Sequence, residues 1–297
     1  MNIVDFLNLL VAAVLLAGVY AAMSVGMTII YGVLKIVNLA HAGFLMLGAY
    51  FVYELYTRFN IDPLLGVILA FPVFFLIGAG VYWLLVRRIP RSDQPTLSSL
   101  LLLFGLWLVL QNLGYLTWGN SDHAILTPRT FSTFQIGPII FPTVRLVVFG
   151  AAVASLAGLE FALHRTWFGR AIRALMQNSD AGRIAGVNVD RTAQVAFGIG
   201  IAFAGAAGGL LAMMYSFTPD FGGSFLLRAF VIIVLGGLES FAGVAVGALI
   251  LALVETFSIL VIPSGYQPAI SFSLLVLALV ILPDGVAGLW KKRQRMA

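Results

Sequence analysis

The sequence contains no cysteine and very little charge. Without cysteine among its 297 residues, disulfides, thiolate zinc sites and cysteine nucleophiles are excluded. Charged residues make up 10% of the chain and hydrophobic residues 61%. A soluble domain has about 25% charged residues and about 45–50% apolar residues. Because so few polar side chains cannot cover a globule of this size, we exclude a soluble enzyme, a disordered chain and a nucleic-acid-binding protein. The composition, with a mean hydropathy of +1.03, indicates a protein whose solvent is largely lipid.

Histidine and lysine are also scarce. The three histidines lie far apart in the sequence, so we expect no histidine-based metal site. Lysine occurs only at Lys35, Lys291 and Lys292, and none of them follows glycine. The Gly-Lys pair of a phosphate-binding P-loop is therefore missing, and we expect this chain to bind no cofactor of its own.

Several stretches without charge are long enough to cross a bilayer. A helix needs roughly 20 mostly apolar residues to cross about 30 Å of hydrocarbon. We therefore predict seven spans, with Glu160 at a membrane surface. They lie within 6–34, 36–53, 63–86, 94–121, 146–163, 192–219 and 256–283.

The basic residues predict an orientation, because arginine and lysine near span ends stay in the cytoplasm. They cluster at 87–91, 165–191 and 291–295. The N-terminus carries Asp5 and no basic residue before the first span, so we predict an N-terminus outside the cytoplasm, a retained first span and a cytoplasmic C-terminus. With Lys35, 13 basic residues then lie inside, and Arg58, Arg129, Arg145 and Arg228 lie outside.

The stretch 229–262 must enter the membrane and return. As helix, its 34 residues would measure about 51 Å, whereas two full crossings need about 60 Å. We therefore predict a short hairpin, re-entrant or fully crossing, that turns near Gly236, Gly237, Glu239 and Ser240. The predicted fold class is an all-α polytopic membrane protein with about eight or nine transmembrane helices, forming a single domain over residues 1–297.

Two pairs of glycines have the GxxxG spacing. Gly205 and Gly209 form one pair, and Gly243 and Gly247 form the other. Small residues at this spacing let helix backbones approach closely in lipid. We predict tight helix packing within the bundle or between subunits, with a sliding surface in a conformational switch as the alternative.

The predicted cytoplasmic loop 164–192 is the most polar connection in the chain. Residues 169–177 suit a helix, Asn178 or Ser179 could cap a second short helix, and Gly186 could end it. Such a helix could dock into a groove of a cytoplasmic partner. The alternative is a basic loop that only sets the orientation of the chain.

Five polar residues are candidates for a substrate pathway. Asn38 and His41 share one helical face in an apolar segment, and Glu255 lies within a long uncharged region. Polar groups at membrane depth are costly and normally face a cavity or a partner. A structural role is the alternative for all three, and Glu239 and Ser240 at the predicted hairpin turn could form an inner gate.

Three stretches resemble a known family. They are YGVLKIVNLAHAGFLMLGAY (31–50), GRAIRALMQNSDAGRIAGVNVDR (169–191), and VLGGLESFAGVAVGALI (234–250) with LVILPDGVAGLW (279–290). Together they resemble the permease subunit of branched-chain amino-acid ABC importers, of the LivH type. The resemblance runs from about residue 6 to residue 290. Permeases for urea and short amides share most of these motifs and remain an alternative.

The resemblance implies an assembly in a bacterial inner membrane. A second, homologous permease subunit, two cytoplasmic subunits that bind ATP and a periplasmic substrate-binding protein would be the partners, besides membrane lipid. A stand-alone secondary transporter is a weaker alternative, because it would need ion ligands inside the membrane and Glu255 is the only strong internal acid. The loop 169–191 resembles the family's coupling segment. Its coupling helix would consist of Asn178, Ser179, Asp180, Ala181, Gly182, Arg183, Ile184 and the residues up to Gly186.

Overall fold

A computed structural model describes residues 2–91, 95–283 and 285–288 of the chain. The predicted basic tail, 291–297, lies outside the described residues. In the described part, the chain forms eleven α-helices and one β-hairpin. The helices are α1 (Ile3–Leu34), α2 (His41–Phe59), α3 (Pro63–Leu84), α4 (Pro95–Trp118), α5 (Thr143–Arg165), α6 (Trp167–Gln177), α7 (Ser179–Ile184), α8 (Val189–Ala212), α9 (Phe221–Gly236), α10 (Phe241–Ser258) and α11 (Gln267–Ile281). The antiparallel strands are β1 (Thr133–Ile136) and β2 (Ile139–Pro142).

Among the described residues, seven segments are long and apolar enough to cross a membrane. They are α1, α3 with its continuation to Ile89, α4, α5, α8, α10 and the segment Gln267–Gly288, which begins with α11. This confirms the prediction of an all-α polytopic membrane protein. The 16 residues of α9 measure about 24 Å, which is less than the roughly 30 Å of a bilayer core. Helix α2 has 19 residues and carries Glu54 and Arg58 near its end.

Helix α8 lies at the centre of the bundle. Its apolar segment is 89% buried, against 17% for α4 at the periphery. Glycines let neighbouring backbones come close to it: a methyl group at Gly200 would lie 2.6 Å from the carbonyl oxygen of Gly26, and one at Gly208 would lie 1.9 Å from that of Leu45. The small residues of α8 therefore allow α1 and α2 to pack closely against it.

The bundle has two distinct ends. At the end that we call the loop end, Gly32 contacts Met176 of α6, and Arg87 pairs with Asp190 at 3.0 Å. At the other end, which we call the β-hairpin end, the backbone N–H of Ile140 in β2 donates to Oδ1 of Asn8 at 2.9 Å. The sequence analysis missed the β-hairpin, although β-branched and aromatic residues flank Gly137 on both sides. Gly137 has φ of 59° and turns between the strands.

Helices α2 and α9 both begin inside the bundle. The first residue of α2, His41, contacts Met23 near the middle of α1, and a methyl group at Gly222 of α9 would lie 1.9 Å from the carbonyl oxygen of Ala42. From this meeting point α2 runs to the β-hairpin end and α9 runs to the loop end. The predicted span 36–53 is therefore wrong in its bounds, because residues 35–40 are not helical.

The stretch after Arg228 forms the predicted helical hairpin. Helix α9 ends at Gly236, Gly237 has φ of 101°, and α10 begins at Phe241. The backbones of Gly236 and Gly243 touch, so the two helices pack closely beside the turn. The uncharged stretch 256–283 is not one span: the chain turns at 259–266, between α10 and α11, where no charge marks the turn.

Candidate functional site

Asn38 and His41 lie in the non-helical segment between α1 and α2. Both side chains are fully buried. Nε2 of His41 donates to the carbonyl oxygen of Met23 at 3.0 Å. Nδ1 of His41 and both polar atoms of the Asn38 amide have no hydrogen-bond partner among the described residues. Buried polar atoms in proteins normally have hydrogen-bond partners. The irregular segment between α1 and α2 therefore places unpartnered polar side chains inside an apolar bundle.

Glu239 and Ser240 lie at the loop end, in the turn between α9 and α10. Oε1 of Glu239 is 2.5 Å from Nζ of Lys35, and both side chains are about half exposed. Oγ of Ser240 accepts a hydrogen bond from the backbone N–H of Gly243 at 3.0 Å, which caps the start of α10. The ion pair ties the end of α1 to the turn.

Glu255 lies at the centre of a polar cluster that joins four helices. Its carboxylate accepts hydrogen bonds from the hydroxyl of Tyr20 (2.6 Å), from Oγ of Ser271 (2.6 Å) and from Nε of Arg228 (2.9 Å). The Glu255 side chain is 3% exposed and that of Arg228 is 12% exposed. The charge pattern predicts Arg228 on the outer side, but the structure buries it against this carboxylate.

The five predicted pathway residues do not form one site. Asn38 and His41 surround the break before α2, Glu239 and Ser240 lie at the loop end, and Glu255 joins α10 to its neighbours. Their part in a substrate pathway stays a prediction.

A cavity of about 470 Å³ opens beside Glu255, toward the β-hairpin end of the bundle. Sequence analysis missed its most distinctive residue, Arg145, the third residue of α5. The sequence does offer one signal, because Arg145 is a single cation directly before a long apolar run. The orientation rule, however, interprets such a residue only as a charge on the outer side. We call this space the arginine cavity, and its polar lining consists chiefly of Tyr20, Arg145, Tyr215, Arg228 and Glu255.

The predicted short helix of the loop is present as α7. Oδ1 of Asn178 accepts hydrogen bonds from the backbone N–H groups of Asp180 and Ala181, both at 3.0 Å. Gly186, with φ of 84°, ends it in a Schellman arrangement, in which its own N–H and that of Val187 reach back to carbonyls of the helix. Both ends of this six-residue helix are thus fixed by local hydrogen bonds.

One face of α7 packs on α6 and the other is free in the structure. Gly182 is buried, and a methyl group there would lie 2.8 Å from Cδ2 of Leu175 in α6. Ile184 is 89% exposed, the highest value for a large apolar side chain among the described residues. The exposed face is formed by Ser179, Asp180, Ala181, Arg183 and Ile184.

The two GxxxG pairs lie at close contacts within the chain. A methyl group at Gly205 would lie 2.3 Å from the ring of Phe74, and one at Gly209 would lie 2.5 Å from Val52. A methyl group at Gly247 would lie 2.4 Å from the carbonyl oxygen of Ile232, and Gly243 touches Gly236. These contacts are within the bundle and need no second subunit.

The fold and these features define a multi-pass membrane protein with buried polar clusters and a capped helix that projects from one end. Comparison with known sequences then shows that the chain belongs to the family described as branched-chain amino acid transport system / permease component, which matches residues 9–282. The chain is therefore a member of a transport permease family.

Several curated relatives match almost the whole chain. The high-affinity branched-chain amino acid transport system permease protein LivH of Escherichia coli is 29% identical, over 95% of this chain and 96% of the relative. The permease protein BraD of Pseudomonas aeruginosa is 27% identical, over 97% of both. The ribose import permease protein RbsC of E. coli is 29% identical over 75% of this chain and 70% of its own length. No solved structure gives a significant match.

Proposed function

We propose that this chain forms, with a second homologous permease, the translocation pathway of an ATP-binding-cassette importer for branched-chain amino acids. Relatives named for this cargo align over 95–97% of the chain, whereas the relative named for ribose aligns over 75%. Separate subunits would bind ATP, and a periplasmic binding protein would deliver the amino acid.

The exposed face of α7 is the observation that carries this proposal. A coupling element must present a rigid surface to its partner and must be attached to the helices that it moves. Helix α7 meets the first condition through its two caps, and it meets the second through α6, whose Met176 contacts Gly32 of α1. The exposed apolar Ile184, with Arg183 beside it, suits insertion into a groove of an ATP-binding subunit.

We place the loop end in the cytoplasm. The loop end carries Lys35, Arg87 and the basic residues of α6 and α7, and basic connections remain on the cytoplasmic side. The N-terminus and the β-hairpin would then face the periplasm, where a binding protein could dock.

Crosslinking tests the docking of α7 directly. Because the chain has no cysteine, Ile184→Cys creates a single thiol that can carry a photoactivatable maleimide. In the assembled importer we expect this probe to link the chain to an ATP-binding subunit.

Phe131→Cys provides the matched control, because Phe131 is 78% exposed at the opposite end of the bundle. A probe at this position should give no adduct with the ATP-binding subunit. If instead the probe at position 131 captures that subunit and the probe at 184 does not, both the docking site and the orientation are wrong.

A further inference from the structure

The arginine cavity contains hydrogen-bond donors without acceptors. Arg145 makes no hydrogen bond or ion pair with any residue that the structure describes. Arg228 uses Nε on Glu255 and Nη1 on the carbonyl oxygen of Ser224 (3.0 Å), which leaves Nη2 without a partner in the described part of the chain. The Tyr215 hydroxyl likewise lacks an acceptor there. The cavity therefore offers several donors and can accept an anion.

The charge balance of the cavity also favours an anion. Its charged lining consists of two arginines and one glutamate, which gives a net charge of +1. The glutamate is already occupied, since Glu255 receives three hydrogen bonds from Tyr20, Ser271 and Arg228. Residues of the first turns of α9, Phe221 and Ser224, also line the cavity, and the N-terminal end of a helix carries partial positive charge.

The lining of the cavity also has an apolar part. Leu9, Leu16, Phe225 and Ile259 face the same space. Its volume of about 470 Å³ falls within the roughly 300–1,000 Å³ of small-molecule sites. A ligand that fits this lining has an anionic head and an aliphatic body.

We propose that the arginine cavity binds the transported amino acid, with its α-carboxylate between Arg145 and Arg228 and its aliphatic side chain on the apolar wall. This inference rests on the proposed function and narrows the cargo, because urea, short amides and sugars have no carboxylate. Bidentate arginine–carboxylate pairs combine charge with a fixed geometry, which suits recognition of one end of the ligand.

Arg145 is the residue to substitute. Replacement of Arg228 would also leave Glu255 without its cation, so a loss of folding would obscure the result. Arg145 has no partner in the described structure, and Arg145→Gln removes its charge without exposing another buried charge. Arg145→Lys keeps the charge, and Arg58→Gln is the matched control, because Arg58 lies at the same end of the bundle, outside the cavity, with a side chain that is 73% exposed.

The first measurement is ATP-dependent uptake of radiolabelled L-leucine by the complete importer in proteoliposomes, at saturating binding protein. Loss of a charge-assisted contact predicts uptake roughly tenfold or more slower for Arg145→Gln, partial recovery for Arg145→Lys, and a change of less than about twofold for Arg58→Gln. ATP hydrolysis without cargo should be equal in all four proteins. Equal uptake by Arg145→Gln and Arg58→Gln would overturn the inference, and so would a parallel loss of cargo-free ATP hydrolysis, which would indicate a structural role.

The second measurement detects the ligand at the site. Phenylglyoxal modification of Arg145 in the wild-type complex, quantified by mass spectrometry, should be slowed by L-leucine but not by the same concentration of L-leucinamide, which lacks the carboxylate. Modification of Arg58 should be the same with either compound. Equal protection of Arg145 by both compounds would contradict carboxylate binding.

These arms separate the inference from the proposed function. If the wild-type complex shows no ATP-dependent uptake of leucine but carries urea or ribose, the proposed function fails before any variant is compared. If wild-type uptake is normal and Arg145 is dispensable, only the site assignment fails.

Discussion

Replacement of Glu255 with glutamine is expected to lower the free energy of unfolding by about 3–5 kcal/mol. The carboxylate is almost fully buried and receives hydrogen bonds from side chains of α1, α9 and α11. A neutral amide at this position leaves the guanidinium of Arg228, itself only 12% exposed, as an uncompensated buried charge. Thermal denaturation of the purified chain in lipid nanodiscs should show a midpoint lower by roughly 10 °C.

Two further variants make this prediction specific. Glu160→Gln removes a carboxylate of α5 whose side chain is 59% exposed and, among the described residues, pairs only with His164, so the midpoint should change little. The double variant Glu255→Gln with Arg228→Gln removes both charges and should recover part of the loss. A midpoint for Glu255→Gln equal to that of Glu160→Gln would refute the assignment of Glu255 as a structural hub.

Gly208→Ala is expected to destabilise the bundle by roughly 1–3 kcal/mol or more. The added methyl group would lie 1.9 Å from the carbonyl oxygen of Leu45. That atom belongs to the backbone of α2, so α2 and α8 must separate. Their separation would also loosen the neighbouring contact between Gly48 and Gly205, where the backbones touch.

The same substitution at Gly105 is the matched control. Gly105 lies within α4, and outside its own stretch of helix no atom of the described residues lies within 4 Å of the position of an added methyl group. Alanine is the better helix former by up to about 1 kcal/mol, so Gly105→Ala should leave the midpoint unchanged or raise it. Equal midpoints for the two alanine variants would show that close approach at Gly208 contributes nothing to stability.

The helical spans could be predicted because charge is so rare in this chain. Gaps between charges locate the helices that became α1, α3, α4, α5 and α8 to within several residues. The same reasoning fails where the backbone breaks without a charge. It places a continuous span over 36–53, although the chain is irregular up to Ala40, and it does not register the turn at 259–266.

The sequence indicates individual polar residues of the clusters, but it does not indicate which of them contact one another. Glu255 is conspicuous in the sequence, but its partners Tyr20 and Ser271 are 235 and 16 positions away, and hydroxyl groups of this kind are common in apolar helices. The orientation rule treats Arg145 and Arg228 alike as outer charges, although Arg145 has no ion pair within the described part of the chain and Arg228 is buried in one. A cavity depends on which helix faces meet, and periodicity in one helix does not contain that information.

Local signals predicted α7 well, in contrast to the clusters. The Asn178 cap, the Gly186 stop and the short helix between them follow from neighbours in the chain, and the structure has all three. The assignment of this helix to a partner subunit still depends on the family resemblance and on the exposure of Ile184.

ATP-dependent transport of a defined cargo tests the central claim most directly. Proteoliposomes that contain this chain with its partner permease and ATP-binding subunits, supplied with the loaded binding protein, should accumulate L-leucine, L-isoleucine or L-valine only when ATP is hydrolysed. Omission of the ATP-binding subunits should abolish uptake. Accumulation of the amino acid by this chain alone, indifferent to ATP, would contradict the account and would assign the chain to the secondary transporters.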